Sequence, residues 1–269
     1  MVEMIIDEDI SRMLAAREGL PLDFIVKEMY LMELLGSLSA KGLLSDLIFK
    51  GGTALNKIYL SKDYRFSEDL DFDFVGKSWN GNTERLRKAS ESFEGTESRR
   101  FRGGKILQID YVYRTPRGKA DRVRIDINLD ARTETAEKVV EKTVESRFIN
   151  SVVAGVKTYA FEDLLARKMS ALRDRAEGKD IFDVSNALEI ARKSMLVRSI
   201  GVLVGSRRGD KKARQFIEDT IKRVRSVDPR LARNLTNPYI PIGSRPSDWY
   251  MLIESLVASL EKLADSINE

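Results

Sequence analysis

The spacing of apolar positions separates a mixed first half of the chain from a helical second half. Apolar residues at helical intervals predict a helix over residues 22–43, with Gly42 suited to its C-terminal cap. A short apolar run at 46–50 predicts a strand, and a helix start is predicted at 54–59. Apolar and acidic residues alternate at 70–75, which predicts a strand with one polar face.

Two more alternating segments, 106–113 and 122–129, flank the turn-rich sequence TPRGKAD and predict a β-hairpin. A charged helix is predicted at 84–93. The later helices are predicted at 161–177, 181–192, 194–205, 211–226 and 248–266. Ser247 is the expected N-cap of the last of them, and the clustered prolines at 229–246 indicate a loop before it.

This order of elements predicts an α+β fold. Its N-terminal domain, residues 1–155, is expected to hold a mixed sheet with flanking helices. The C-terminal domain, residues 156–269, is expected to be a helical bundle.

The composition removes several kinds of chemistry. The 269 residues include no cysteine and no histidine, so disulfides, Cys/His zinc sites and Ser-His-Asp triads are excluded. Catalysis would have to use carboxylates, hydroxyls, Lys, Arg, backbone amides or an oxygen-bound metal such as Mg²⁺ or Mn²⁺. No apolar run approaches the ~18 residues of a membrane span, and the acidic start lacks the basic region of a signal peptide. We therefore expect a cytoplasmic protein.

Charge is unevenly distributed along the chain. Residues 1–75 carry a net charge of −6, whereas residues 192–233 carry +9, within an overall +4. A metal-using enzyme with a polyanionic partner is expected to show this division. A set of solvated helix faces would explain it equally well.

Acidic residues on neighbouring strands form the first candidate site. Asp69 and Asp71 share the polar face of the strand predicted at 70–75, and Asp73 lies further along it. Three like charges on one face repel one another unless a cation neutralises them, which favours a divalent metal site. Asp126 lies between two isoleucines and would complete a three-carboxylate cluster if its strand neighbours the first.

Two further groups suit the phosphates of a nucleotide. Gly51, Gly52 and Thr53 stand between a predicted strand and helix, where backbone N–H groups can meet a phosphate, although glycine pairs also mark ordinary turns. Lys168 and Arg175 are seven residues apart and so share one helix face. The next helix begins with a short charged run that contains Lys179, Asp180 and Asp183. Together these pieces describe two-metal nucleotidyl transfer.

Three segments of the chain, taken in this order, resemble the AbiEii/AbiGii-type nucleotidyltransferase toxins. They are FKGGTALNKIY, RFSEDLDFDF and KMSALRDRAEGKDIFDV. This family lies within the DNA polymerase β-like nucleotidyltransferase superfamily. The resemblance implies an N-terminal catalytic domain of that fold, with NTP as substrate and Mg²⁺ or Mn²⁺ as cofactor. It covers about residues 21–183.

The resemblance also implies roles for individual residues. Asp69, Asp71 and Asp126 correspond to the metal-binding carboxylates, and Asp126 would also help to deprotonate the acceptor. Lys168 and Asp180 correspond to further catalytic positions. The NTP-binding positions are Gly51, Gly52, Thr53, Ser67, Lys168, Arg175, Lys179 and Asp183.

The family further implies a toxin of a toxin–antitoxin or phage-defence system, acting on RNA, with the 3′ end of tRNA as the expected acceptor and a cognate antitoxin as a partner. The basic segment 192–233 would suit such an acceptor. Two other classes stay open: a non-catalytic protein that binds nucleotide or RNA, and an enzyme that transfers nucleotide to protein. A hydrolase using the same metals is a third alternative, because water can replace the acceptor.

Overall fold

A computed structural model describes residues 6–60, 65–76, 97–103, 105–115, 117–131, 133–205 and 210–267. The helix predicted at 84–93 lies outside these ranges. The chain divides into two compact units. The first unit comprises Met1–Ile58, Phe66–Thr133 and Glu141–Thr158, and the second comprises Tyr59–Arg65, Glu134–Val140 and Tyr159–Glu269.

The described residues form one sheet of seven strands. In chain order the strands are Leu47–Lys50 (β1), Asp69–Phe74 (β2), Glu97–Gly103 (β3), Ile106–Arg114 (β4), Ala120–Asn128 (β5), Val140–Ser146 (β6) and Ser151–Thr158 (β7). Their spatial order is β3-β4-β5-β2-β1-β7-β6. Strand β2 runs antiparallel to β1 and parallel to β5, and β5 runs antiparallel to β4. The strands predicted at 46–50 and 70–75 and the predicted hairpin are therefore confirmed.

Strands β3, β6 and β7 were not predicted. In β6 the only buried side chains are those of Val144 and Ser146, so its sequence lacks the alternation that marks a half-buried strand. Such a strand forms because a neighbouring backbone offers hydrogen bonds, not because its own side chains require burial.

The apolar face of the sheet fixes the register of its central strands. Leu70 and Phe72 on β2 lie beside Ile125 and Ile127 on β5, and all four side chains are fully buried. Phe49 on β1 packs its ring 5.2 Å from that of Phe72. Because side chains alternate along a strand, burying these residues turns the residues between them to the opposite face.

The helices are Glu8–Glu18 (α1), Leu22–Ala40 (α2), Gly51–Ala54 (α3), Phe161–Arg175 (α4), Gly178–Ile190 (α5), Lys193–Leu203 (α6), Asp210–Arg225 (α7), Pro229–Thr236 (α8) and Trp249–Asp265 (α9). Helix α3 continues as a π-helical segment, Leu55–Tyr59. None of the helices in the described ranges is long and apolar enough to cross a membrane. The predicted helices of the second half are confirmed to within a few residues at their ends.

Two expectations near the C-terminus are wrong. The N-cap of α9 is Asp248 and not Ser247, because the Asp248 carboxylate accepts hydrogen bonds from the backbone of Tyr250 and Met251. The proline-rich stretch after Arg225 is not all loop, since Pro229 begins α8 after an Asp228 cap. A proline at the first helical position loses no hydrogen bond, so it starts a helix as readily as it ends one.

The second unit is a set of packed helices in which α4 contacts α5, α6 and α7, and α5 packs against α8 and α9. Helices α5 and α8 approach closely at Gly178. A Cβ atom at this position would lie 2.8 Å from the carbonyl oxygen of Ala232 and closer still to the hydroxyl of Thr236. Only glycine fits there without movement of the α8 backbone.

We predict that Gly178→Ala lowers the free energy of unfolding by about 1–3 kcal/mol, because the added methyl group overpacks the α5–α8 contact. The matched control is Gly243→Ala, whose added methyl group would meet no atom within 4 Å. Urea unfolding of the two variants measures the difference. Equal midpoints for the two variants would contradict this account of the contact.

Candidate active site

Strand pairing brings the three predicted metal-binding residues onto one face of the sheet. Asp71 on β2 lies directly opposite Asp126 on β5, and Asp69 lies opposite Arg124, one step along the same face. The condition on which the role of Asp126 depended, that its strand neighbours β2, is therefore met. Each carboxylate follows or precedes a buried apolar residue, so the core itself turns the three toward the polar face.

Asp126 occupies an unfavourable electrostatic position. Its Oδ1 atom is buried and has no hydrogen-bond partner among the described residues. Burial raises the pKa of Asp126, and the charges of Asp69 and Asp110 raise it further, although Arg124 and Lys50 oppose them. A buried, unpartnered carboxylate oxygen costs free energy unless a cation or a donor satisfies it.

The donor set fits a divalent cation. All three side chains offer carboxylate oxygens, the ligands that Mg²⁺ and Mn²⁺ prefer, and the Oδ1 atom of Asp126 lacks a partner. In the part of the chain that the structure describes, no three acidic side chains converge closely enough to hold an ion together. The strand register thus places Asp69, Asp71 and Asp126 at neighbouring positions. Their side chains would have to rotate to bring the carboxylate oxygens together around a metal ion.

The predicted glycine turn lies against the same carboxylates. Gly51 follows β1 directly and has a φ of +77°, a conformation that residues with a side chain rarely adopt. A Cβ atom here would also collide with the Oδ2 atom of Asp71. Glycine is therefore required both by the turn and by the closeness of the Asp71 carboxylate.

The residues after Gly51 join this turn to the carboxylate strand. The Thr53 hydroxyl donates a hydrogen bond of 2.6 Å to the backbone oxygen of Asp69, and the Asn56 amide donates one of 2.8 Å to the carbonyl of Gly52. Ser67, also predicted to bind nucleotide, is buried. The π-helical segment that follows is a feature often found at functional sites.

Ion pairs that the sequence did not predict border the carboxylates. Asp73, two residues beyond Asp71, is buried and paired with Lys50. Asp110 on β4 accepts a hydrogen bond of 3.1 Å from Arg124 on β5. It also forms an ion pair of 3.1 Å with Arg122 on the same strand. No spacing rule marks Asp110, because its partners lie on the next strand and depend on the hairpin register.

In the second unit, the predicted basic residues form a buried network with the predicted acids. The Lys168 amine lies 2.8 Å from Asp180 Oδ1 and 2.7 Å from Asp183 Oδ2, and both carboxylates are fully buried. Arg175 donates two hydrogen bonds to Asp180. Both cations reach Asp180, which confirms that they share one face of α4.

Arg65 is the member of this network that the sequence reasoning missed. Its guanidinium donates to both carboxylate oxygens of Asp183, at 2.9 and 2.7 Å, and it is almost fully buried. It stands at the first position of the RFSEDLDFDF run, in which only the acidic residues and Ser67 follow a recognisable pattern. A lone arginine before a cluster of acids was the available signal.

Asp180 stays ionised at neutral pH. Burial by itself would raise the pKa of Asp180, but hydrogen bonds from Arg175 and the charge of Lys168 outweigh it and lower the pKa to about 2. Lys179 lies elsewhere, with its amine 3.3 Å from the centre of the Tyr239 ring. The roles of these residues toward a nucleotide stay predictions.

The comparisons with known proteins decide the family. The family described as nucleotidyl transferase AbiEii toxin, type IV toxin–antitoxin system, matches residues 33–250. The chain belongs to this family. It is therefore a nucleotidyltransferase, as the resemblance implied, and AbiEii-family enzymes generally use an NTP and a divalent metal. A search of curated proteins gave no significant match.

Solved structures share the fold of this AbiEii-family chain. JHP933 from Helicobacter pylori superposes with a TM-score of 0.61 at 16% identity, over 93% of this chain and 95% of that one. MenT4, the nucleotidyltransferase toxin Rv2826c from Mycobacterium tuberculosis H37Rv, superposes with a TM-score of 0.64 at 19% identity, over 95% and 89%. The likeness confirms the predicted α+β class, with a mixed sheet and C-terminal helices.

We predict that Asp126→Asn stabilises the metal-free protein by about 1 kcal/mol, because it removes a partly buried charge whose Oδ1 atom lacks a hydrogen bond from the described residues and which Asp69 and Asp110 repel. The folded-state pKa of Asp126 is raised above its ordinary 3.8, so the folded state holds the proton more tightly than the unfolded chain. The wild-type protein therefore loses stability as pH rises from about 4 through that raised pKa.

Above that raised pKa the cost is complete, so the advantage of Asp126→Asn should grow as the pH rises from about 4 through the raised pKa and then level off. Urea unfolding in EDTA measures it. Asp130→Asn, an exposed position just beyond β5, serves as the control. An Asp126→Asn protein that unfolds at lower urea than the wild type at pH 7 would refute the proposed strain.

A second prediction concerns the network of the second unit. We predict that Asp183→Ala destabilises the protein by about 3–5 kcal/mol, because buried Arg65 loses its two hydrogen bonds to Asp183 and buried Lys168 loses one of its two ion pairs. Asp174→Ala, which removes an exposed pair with Arg173, should change stability by less than about 0.5 kcal/mol. Urea midpoints that match for the two variants would show that the network does not stabilise the fold.

Proposed function

We propose that this AbiEii-family toxin is a metal-dependent transferase that moves a nucleoside monophosphate from an NTP to a hydroxyl group of RNA, with the 3′ end of tRNA as the leading acceptor. The observation that carries the proposal is the pairing of β2 with β5, which sets Asp71 beside Asp126 and leaves Asp69 on the same face. Three carboxylates beside a glycine turn suit nucleotidyl transfer, because they can hold the metal ions that stabilise the attacking and leaving oxygens.

Asp69, Asp71 and Asp126 would hold the cation, which is Mg²⁺ or Mn²⁺ because every donor is an oxygen. When bound, the metal would supply charge stabilisation for the reacting phosphate and the departing pyrophosphate. The protein contributes a rigid backbone: buried Leu70 and Ile125 prevent the strands from slipping, so the carboxylates keep their spacing.

The glycine turn would hold the β- and γ-phosphates of the NTP, which leave as pyrophosphate. Gly51, Gly52 and Thr53 begin a helix beside Asp71, and the absence of a side chain at Gly51 lets the Asp71 carboxylate lie close to this turn. Backbone N–H groups at such a turn can bind phosphate. Thr53 keeps this turn in place through its hydrogen bond to the backbone of Asp69. Ser67, just before the carboxylate strand, is proposed to support the same phosphates.

The buried network supplies the remaining proposed roles. Lys168 and Arg175 would contact nucleotide phosphates, while Asp180 and Asp183 would fix the orientation of these two cations. Lys179, which lies against the Tyr239 ring, is proposed as a further NTP contact. In this proposal a domain of residues 1–155 is the catalytic domain, and a helical domain of residues 156–269 adds further nucleotide contacts and a basic surface for the acceptor.

An RNA acceptor agrees with the surface of α7. Five of its cationic side chains are exposed: Lys211, Lys212, Lys222, Arg223 and Arg225. A row of exposed cations on one helix favours a phosphate backbone, and its binding would weaken steeply with salt. The family also implies a cognate antitoxin. A cytoplasmic site of action is part of the same proposal.

We predict that Asp69→Asn abolishes transfer of labelled nucleotide, a loss of at least about 10³-fold, because the metal would lose one of its ligands. The protein should still fold, since Asp69 is not part of the apolar core. The assay incubates protein, Mg²⁺, each α-labelled NTP and total RNA, and then resolves the products on a gel. Asp130→Asn is the control and should retain wild-type transfer.

Full activity of Asp69→Asn would refute the assignment of this site. Label in a tRNA band would support the acceptor, whereas label in the protein would establish nucleotidylation of protein instead. Release of labelled NMP alone would indicate a hydrolase.

A further inference from the structure

A polar cavity of about 520 Å³ opens in the first unit at the start of β2. It lies where β5 runs past the first residue of β2, and Asp69 forms part of its wall. Its other charged lining residues are Lys27, Glu68, Asp121, Arg122 and Arg124. Arg122 and Arg124 also pair with Asp110 beside the metal-binding carboxylates, and Asp69 belongs to both the cavity and that site.

The position of the cavity follows from the strand order. Strand β2 lies between β1, which leads into the glycine turn, and β5, which with β4 lines the cavity. The carboxylates of β2 therefore separate the turn from the cavity.

In nucleotidyl transfer, an acceptor oxygen bonds to the α-phosphorus while the bond from that phosphorus to the bridging oxygen breaks. Pyrophosphate leaves with the electron pair, and the hydroxyl proton is released to solvent. The attacking and leaving oxygens stand on opposite sides of the phosphorus. If the glycine turn holds the leaving pyrophosphate, the acceptor must enter from the β5 side, where the cavity lies.

The charges of the cavity suit one nucleotide better than a triphosphate. Three cations and three carboxylates line it, so its formal charge is zero. A triphosphate would meet as many carboxylates as cations. A single phosphodiester and a ribose need one cation together with mixed donors and acceptors, which this wall offers.

Arg122 is the cation best placed to meet a phosphate from solvent. Its side chain is 52% exposed, compared with 27% for Arg124 and 11% for Lys27. Lys27 lies 3.1 Å from Asp121 and 3.7 Å from Glu68. Arg124 shares Asp110 with Arg122, so Asp110 would keep a partner if Arg122 turned to a ligand.

We propose that this cavity binds the terminal nucleotide of the RNA acceptor, with Arg122 contacting its phosphodiester. The inference rests on the proposed function and names the part of the protein that receives the acceptor. Arg122 acts here by binding and orienting the RNA end, so its loss should affect the acceptor and not the NTP.

The test compares Arg122→Ala with Arg114→Ala. Arg114 is an exposed arginine on the same hairpin that does not line the cavity. The acceptor is unfractionated tRNA with a free 3′ hydroxyl. Arg122→Ala should raise the KM for tRNA about tenfold and leave the KM for NTP within about twofold. Arg114→Ala should change neither, and Arg122→Lys should recover part of the loss.

A modified acceptor tests the same contact in the wild-type protein, where folding is not in question. An RNA oligonucleotide with an uncharged methylphosphonate in place of its last phosphodiester should have a KM about tenfold higher with wild type and no further penalty with Arg122→Ala. Equal tRNA KM values for Arg122→Ala and Arg114→Ala would overturn the inference, as would a rise confined to the NTP. Absence of any transfer by the wild type would instead overturn the proposed function.

Discussion

The register between β2 and β5 is the constraint on which the rest of the site depends. Four fully buried apolar side chains, Leu70, Phe72, Ile125 and Ile127, fix this register from one face of the sheet. A slip of β2 by one residue would turn Asp69 and Asp71 toward the core and turn Leu70 and Phe72 out of it, which makes the alternative very costly. The hydrophobic core thus holds like charges together, and the raised pKa of Asp126 is the electrostatic cost of that arrangement.

In the second unit the buried carboxylates of Asp180 and Asp183 are paired with cations. Arg65, Lys168 and Arg175 meet two fully buried carboxylates, and each oxygen has a donor within 3 Å. Arg175 also lies 3.8 Å from the carboxylate of Glu177, so three carboxylates offset the three cations. The two clusters differ in this respect: the Oδ1 atom of Asp126 on the carboxylate face has no hydrogen-bond partner among the described residues, whereas the carboxylates of Asp180 and Asp183 are fully paired.

Much of the fold could be predicted because its patterns are local. The alternation at 69–74 and 120–128 and the helical spacing from 161 onward are recorded in neighbouring residues. Strand β6 and the Arg65–Asp183 pair could not be predicted, since they depend on segments up to 118 residues apart. The capping error at Asp248 shows the same limit on a smaller scale, because Ser247 and Asp248 are both good caps and only the backbone selects one.

The sequence by itself determined the chemistry available to this AbiEii-family enzyme: no thiol, no imidazole, and carboxylates, a glycine pair and basic residues in a specific order. It also determined which face of each strand is apolar. Only the tertiary structure decided that Asp71 stands beside Asp126 and that Asp110 joins Arg122 to Arg124. The physical reason is that the hydrophobic pattern along the chain indicates only which side chains will be buried. Which residues lie beside each other across the sheet depends on which strands pair and in what register.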